Sequence, residues 1–332
     1  MGFRLWPARP QNWTLSKRRG MSKESFPIFL ERLKRIVGSE RYDQVIQSFS
    51  RPGILSVRIN TLKTTRPETI ARLKEHNISF KEVPWSSAAL ILEGIPREEL
   101  WRMDLINDGA LYRQSLSSML PVLALAPRSG ERVLDMCAAP GSKTTQIAAL
   151  MENTGEIVAV EAVRGRYYRL KSVLSQTGVT NVCVKFMDAR RFRSSQLFDR
   201  ILVDAPCSSE GRFETDDPET YAYWSPHKIK EMVRKQRGLL LHASRLLKPG
   251  GTLVYATCTF APEENEGVVD WLLRKTDGRL SLEPAHFAGI PSYPSLEGWL
   301  EREFDRRVRN CFRILPGAEM EGFFIARFTA SE

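Results

Sequence analysis

The sequence is poor in the residues that build metal and redox centres. Its 332 residues include five cysteines and four histidines. Cys137, Cys183, Cys207, Cys258 and Cys311 stand far apart with no CxxC pair, and their odd number argues against a disulfide framework and against a structural zinc cluster. No metal is expected. No apolar run reaches the roughly 18 to 20 residues of a membrane span. The opening MGFRLWPARPQNWTLSKRRG holds Arg4, Arg9, Lys17, Arg18 and Arg19 and no acid, but it has no continuous apolar core of the signal-peptide kind. Two phosphate-loop signatures are missing as well. GxGxxG is absent, and the run Gly141-Ser142-Lys143-Thr144 has Cys137 where a nucleoside triphosphate loop needs an earlier glycine. These absences fit a reducing compartment, and a cytoplasmic location without membrane contact is expected.

What is present is a core-forming, basic chain. Hydrophobic residues make up 42%, enough for a substantial core and two domains. Lys plus Arg total 49 against 39 Asp plus Glu, a net charge of +10 that favours a polyanionic partner. Residues 1–22 form a basic arm able to touch phosphates. From Ser25 to Ser48 the pattern predicts one or two amphipathic helices, with Phe29, Leu30, Leu33, Ile36 and Val37 on one face. A strand at ILSVRINTL, a helix opened by Pro67 and a strand at ISFKEVPW complete a small α+β block over residues 23–108.

Over residues 109–332 apolar strand-like runs alternate with longer helical patterns. ERVLDMC, GEIVAVE, NVCVKFMD, FDRILVDAP and TLVYATC are each separated by or followed by helix-like stretches. Such alternation predicts an α/β fold, a doubly wound, Rossmann-like parallel sheet with ligands at the carboxyl ends of its strands. PEENEGVVDWLLRKT reads as one helix with Pro262, Glu263 and Glu264 in its first turn, and CFRILPGAEMEGFFIARF as an antiparallel pair at the sheet edge. Cys183 alternates within NVCVKF and is expected in the core.

Three acids close neighbouring strands: Glu161, Asp188 and Asp204. A carboxylate accepts both hydroxyls of a ribose, which suits Glu161, and Asp188 suits an adenine amine. The small residues of VLDMCAAPGSKTT allow a ligand to approach the backbone where a helix begins. Together these features point to an adenosyl ligand. Two further motifs, DAPCSSEG and TCTFAPEENE, each place a cysteine at or just past the end of an apolar run.

With DMCAAPGSKT, DAPCSSEG and TCTFAPEENE in this order and spacing, the chain resembles the RNA 5-methylcytosine methyltransferases of the Nol1/Nop2/Sun family, and most of all their bacterial ribosomal RNA members. The likeness runs from SVRINTLK through GALYRQSLSSM to EGFFIARF. It implies a class I S-adenosylmethionine-dependent fold whose small N-terminal block binds RNA. It also implies that Cys137, Ala138, Ala139, Pro140, Gly141, Ser142 and Lys143 cradle the methionine part of S-adenosylmethionine. Glu161 is implied to hold the ribose and Asp188 to contact the adenine, while Asp204 borders both cofactor and target base.

The chemistry requires a nucleophile, because carbon 5 of cytosine is too weak to take a methyl group directly. A thiolate adding at carbon 6 makes carbon 5 enamine-like, and a base must then remove the carbon 5 proton. From chemistry alone, either Cys207 or Cys258 attacks. The resemblance assigns attack to Cys258 and assistance in proton removal and product release to Cys207. Asp204 is suited to a protonated ring nitrogen and an exocyclic amine, and Lys143 to the base or to a thiol. Tyr221, Tyr223 and Trp224 are candidates for base stacking, with at least one expected to pack beneath the following helix. Ribosomal RNA is expected ahead of transfer RNA, and the protein is expected to be a monomer. The alternatives are a noncatalytic RNA-binding or ribosome-assembly factor on the same scaffold, or a DNA methyltransferase. The chain departs from the family pattern at Ser209, Ala256 and Gly317.

Overall fold

The computed structural model describes residues 25–50, 54–214 and 217–332. The basic arm expected over residues 1–22 lies outside the described residues.

Two sheets organise the chain. The first region contains helices α1 (Ser25–Val37) and α2 (Ser39–Phe49), strand β1 (Leu55–Ile59), helix α3 (Arg66–Glu75), and strands β2 (Ser79–Glu82) and β3 (Ala89–Glu93). Two single-turn helices, α4 (Arg97–Leu100) and α5 (Asp104–Asn107), lead to β4 (Leu111–Arg113). A capping box opens α3: the Thr65 hydroxyl accepts from Glu68 N–H while the Glu68 carboxylate accepts from Thr65 N–H. The four strands form an antiparallel sheet in the order β2-β3-β1-β4.

The packing divides the chain differently from the expected boundary at residue 108. β4 pairs with β1, so the small sheet closes past Gly109. The apolar faces of α1 and α2, in turn, pack against the large sheet's layer. Phe29 lies 4.8 Å from Phe213 and 5.6 Å from Trp224 between ring centroids, and Phe49 lies 6.2 Å from Phe260. These helices bury Phe29, Leu33, Val45 and Phe49 in the same cluster as Leu134, Tyr255 and Phe260.

The second region follows α6 (Leu116–Leu125) with β5 (Arg132–Asp135), α7 (Ser142–Leu150), β6 (Glu156–Glu161), α8 (Arg164–Gln176) and β7 (Val182–Phe186). Then come β8 (Phe198–Asp204), α9 (Pro226–Leu246), β9 (Leu247–Thr257), α10 (Glu266–Thr276) and β10 (Leu280–Glu283). A short ribbon of β11 (Gly298–Trp299) and β12 (Arg302–Glu303) precedes β13 (Phe312–Ile314) and β14 (Phe323–Ala330). The order is β10-β14-β9-β8-β5-β6-β7, with β13 also paired to β14. Strands β9, β8, β5, β6 and β7 run parallel, and helices cover them, which is why their sequences read as continuous apolar runs.

Three local expectations are corrected here. β13 and β14 do pair antiparallel, but β14 lies between β9 and β10, inside the sheet and not at its edge. Its apolar run, buried from Phe323 to Ala326, is the sign of an interior strand. α10 begins at Glu266, so Pro262, Glu263 and Glu264 form a turn before it. Cys183 is exposed, not buried. It sits on the edge strand β7, where Val182 and Val184 face α8 and the residue between them points away.

Candidate active site

The chain lays down β5, β6 and β7 in one direction, then returns to place β8 and β9 on the other side of β5. A crevice opens at such a reversal, outside the carboxyl ends of the strands. Asp135 ends β5 and Asp204 ends β8, so both flank it.

Parallel register brings the two cysteine motifs together. Asp204 is aligned with Ala256, and Ala205 N–H donates to Ala256 O at 2.9 Å. The chains leave β8 and β9 side by side, and Cys207 Sγ comes within 3.4 Å of Cys258 Sγ. Ser209 Oγ lies 3.9 Å from the first sulfur and 3.8 Å from the second. Ser209 adopts a left-handed backbone, φ 61° and ψ 27°, at a position where the resembling family often has glycine.

Buried acids knit the two loops. The Glu264 carboxylate accepts from Ser208 N–H at 3.1 Å and from Gln236 Nε2 at 2.7 Å. Glu210 accepts from Thr259 Oγ1, Phe260 N–H and Trp224 Nε1 at 2.8 to 2.9 Å. Asn265 Nδ2 donates to Thr259 O, and Gly211 N–H donates to Cys258 O, both at 2.9 Å. Burial raises the Glu210 carboxyl, and it lifts Glu264 to about 8. These acids hold the thiol loops to each other across β8 and β9. The reading of Glu264 as a helix-terminus charge missed this role, because only the tertiary contact reveals it.

The thiols are not equivalent. Cys258 is lowered to about 6, first by the hydrogen bond from Cys207 and then by the positive field of Arg212. Cys207 is pushed well above its ordinary range by that same hydrogen bond and by burial. Both shifts favour the thiolate on Cys258 and the proton on Cys207. Arg212, raised mainly by the Cys258 charge, went unnoticed in the sequence. Nothing local marks it: Gly211 must first pass close to Gly322, where an added Cβ would lie 2.4 Å from the Gly322 carbonyl oxygen.

Lys143 is buried and not at a helix surface. Its Nζ donates to Asp204 Oδ2 at 2.7 Å and to Ser118 Oγ at 2.8 Å. It thus orients the Asp204 carboxylate, whereas the cation acting on Cys258 is Arg212. Asp135 also ends a strand, as Glu161 and Asp204 do. Its Oδ2 accepts from Thr144 Oγ1 at 2.7 Å and its Oδ1 from Cys137 N–H at 3.3 Å, which shapes the Cys137–Ser142 loop. Burial, reinforced by Asp204, raises it to about 6.

The residues expected at the cofactor divide into two groups. Ala138 and Ala139 are buried small residues, Gly141 takes φ 116°, and Ser142 and Lys143 start α7. Glu161 is buried, its Oε1 accepts from Val163 N–H at 2.8 Å, and Arg166 approaches its Oε2 at 3.6 Å. That leaves acceptor capacity for ribose hydroxyls, and the donor set fits S-adenosylmethionine. Asp188 differs from expectation. Both its oxygens accept from Arg190, through the guanidinium and the backbone N–H, at 2.5 to 3.1 Å, so it is not a free acceptor for adenine in this arrangement. No group of three or more potential metal ligands occurs among the described residues.

Of the aromatic trio, Trp224 is buried and Tyr221 stacks on Phe26 at 5.0 Å, while Tyr223 is 67% exposed.

This sheet, with its reversal crevice and glycine-containing first loop, is of the class I S-adenosylmethionine-dependent methyltransferase type. The family described as 16S rRNA methyltransferase RsmB/F matches residues 122–329, and the ferredoxin-like domain of RsmF/B-like methyltransferases matches residues 28–96. The chain belongs to this RsmB/F family. It is 37% identical over 310 residues to the ribosomal RNA small subunit methyltransferase F of Serratia proteamaculans, covering 91% of this chain and 62% of that protein. It thus spans about three fifths of the length of this bacterial relative. It is 39% identical over 300 residues to the tRNA (cytosine(49)-C(5))-methyltransferase of Pyrococcus abyssi, covering 90% of this chain and 94% of that one. A solved methyltransferase homolog from Pyrococcus horikoshii superposes with a TM-score of 0.77 at 32% identity, over 92% of this chain and 99% of that chain.

Proposed function

We propose that the protein transfers a methyl group from S-adenosylmethionine to carbon 5 of a cytosine in RNA through a covalent cysteine adduct. The observation that carries the mechanism is the pair of sulfurs 3.4 Å apart, and the lowered Cys258 thiol beside the raised Cys207 thiol favours Cys258 as the attacking thiolate.

Bound S-adenosylmethionine supplies the electrophilic methyl group. Cys207 to Asp204 spacing and the β8–β9 register put the carboxylate and both thiols on one rim. The target base has to be unpaired or turned out of its helix to reach them. Cys258 adds to carbon 6, and electron density moves toward the ring nitrogen and carbonyl. Asp204, oriented by Lys143, is suited to hold the ring nitrogen protonated and to accept from the exocyclic amine, favouring cytosine over uracil. Carbon 5 takes the methyl group, loses its proton to a base, and the bond from carbon 6 to sulfur breaks as the double bond re-forms. Cys207, held beside that sulfur, donates a hydrogen bond to the departing thiolate and so restores the starting pair.

Ribosomal RNA is the favoured substrate, supported by the family match and the bacterial relatives. Transfer RNA is the second reading, favoured by the relative in Pyrococcus abyssi that this chain matches over nearly its whole length. The test is transfer of labelled methyl into unmodified cellular RNA, fractionated by size and digested to nucleosides. Label in 5-methylcytosine of a large RNA supports the first reading, and label in the small fraction supports the second. Activity that survives Cys258→Ala would overturn the mechanism.

A further inference from the structure

On the same rim, at the β7 edge, α8 and β7 present an aromatic and basic cluster that the chemistry above does not use. Tyr168 and Phe186 are 56% and 53% exposed, unusual for side chains of this size. Tyr167 joins them, with ring centroids 5.3 Å from Tyr168 and 5.4 Å from Phe186. Arg164 lies over the Tyr168 ring at 5.9 Å and Lys171 over the Tyr167 ring at 5.9 Å. Helix α8 contains no acid, and no carboxylate of the described residues pairs with Arg164 or Lys171.

Exposed rings flanked by uncompensated cations match the chemistry of unpaired nucleic acid, whose bases stack on aromatic faces while its phosphates meet positive charge. A solvated basic helix would not need the rings, and a protein docking patch of this size would normally shed the excess charge from its centre. The position also fits. β7 is three strands from β8, about 14 Å at the usual strand spacing, on the side of the crevice away from β9. Of the three aromatics expected to stack bases, Tyr221 and Trp224 pack within the protein and Tyr223 is exposed.

We infer that the Tyr167–Tyr168–Phe186 cluster, with Arg164 and Lys171, is a stacking platform for unpaired RNA bases near the target cytosine. The polyanion is taken as RNA on the strength of the methyl-transfer reading above.

The test measures anisotropy of a fluorescein-labelled single-stranded oligoribonucleotide at several salt concentrations, without cofactor. The side chains are exposed, so Tyr168→Ala/Phe186→Ala should fold, which circular dichroism and an unchanged Tm verify. Loss of one stacked base is worth about 1–3 kcal/mol, so Kd should rise about five- to 150-fold. Arg164→Ala/Lys171→Ala should make the slope of log K against log salt shallower by about 0.7 per lost phosphate contact. In the transfer assay the aromatic variant should raise KM for RNA, leaving kcat and the KM for S-adenosylmethionine unchanged. An unchanged Kd in the aromatic variant overturns the platform, even if the charge variant binds less or if binding to a protein-containing ribosomal particle falls. So does a change confined to the cofactor's KM. If wild type methylates no RNA while the aromatic variant still loses oligonucleotide affinity, the methyl-transfer reading fails and the platform stands.

Discussion

Two thiols 3.4 Å apart share one proton, and the surroundings decide which sulfur keeps it. Arg212 acts on Cys258 more than on Cys207, which is raised by the Cys258 hydrogen bond and charge and by burial. Nucleophile and helper are thereby separated by environment and not by residue type. Cys207→Ala should slow release, so a protein–RNA adduct should accumulate as a shifted band on a denaturing gel, whereas Cys258→Ala should give none. A band from Cys258→Ala would reverse the assignment. The acid limb of kcat/KM should fall near the Cys258 value of about 6, because the thiolate form increases as pH rises through it. Removing a positive charge raises a thiol, so Arg212→Ala should move that limb to higher pH, and a limb that stays put would clear Arg212 of this role.

At the scale of elements, the site depends on how two loops beyond β8 and β9 are locked together. Gly211→Ala would place a methyl group 2.4 Å from the Gly322 carbonyl oxygen and 3.1 Å from that of Cys258. Relief requires the loops to part, at about 1–3 kcal/mol. A lower Tm together with a lower kcat is expected, and activity unchanged at full stability would contradict the close seam. Glu264 gives these loops a pH dependence. Its folded value is raised from 4.5 to about 8, so its contribution is fully present below about 4.5 and is lost as pH rises through about 8. Urea unfolding of the wild type should therefore lose stability between those limits. Glu264→Gln, which has no titrating proton, should flatten that dependence whatever its absolute stability.

Across the whole molecule, α1 and α2 are part of the large layer although they precede the small sheet in the chain. Phe29 is 1% exposed against Phe213 and Trp224. Phe29→Ala should cost about 3–5 kcal/mol, as a large buried ring does. The loss should appear in the unfolding of the sheet region, and calorimetry in which that transition is unmoved would separate α1 from this core.

Much of this was legible in the residues themselves. Apolar runs alternating with helical periodicity specify a covered parallel sheet, because only helices on both faces can bury such strands. DMCAAPGSKT, DAPCSSEG and TCTFAPEENE, read in order, specified the family and named both thiols, since short motifs at strand ends carry their chemistry locally. What tertiary structure alone decided is which groups face each other. The strand order moved β14 into the sheet and left Cys183 at an exposed edge. Register set Cys207 against Cys258, and the Gly211–Gly322 approach brought Arg212 to them. Asp188 was closed by Arg190, two residues away, through a side-chain geometry that no periodicity encodes. Charge and hydrogen bonding act through space over a few ångströms, and residues 51 or 231 positions apart, as Cys207–Cys258 and Arg32–Glu263 are, meet at such distances only when the chain has folded.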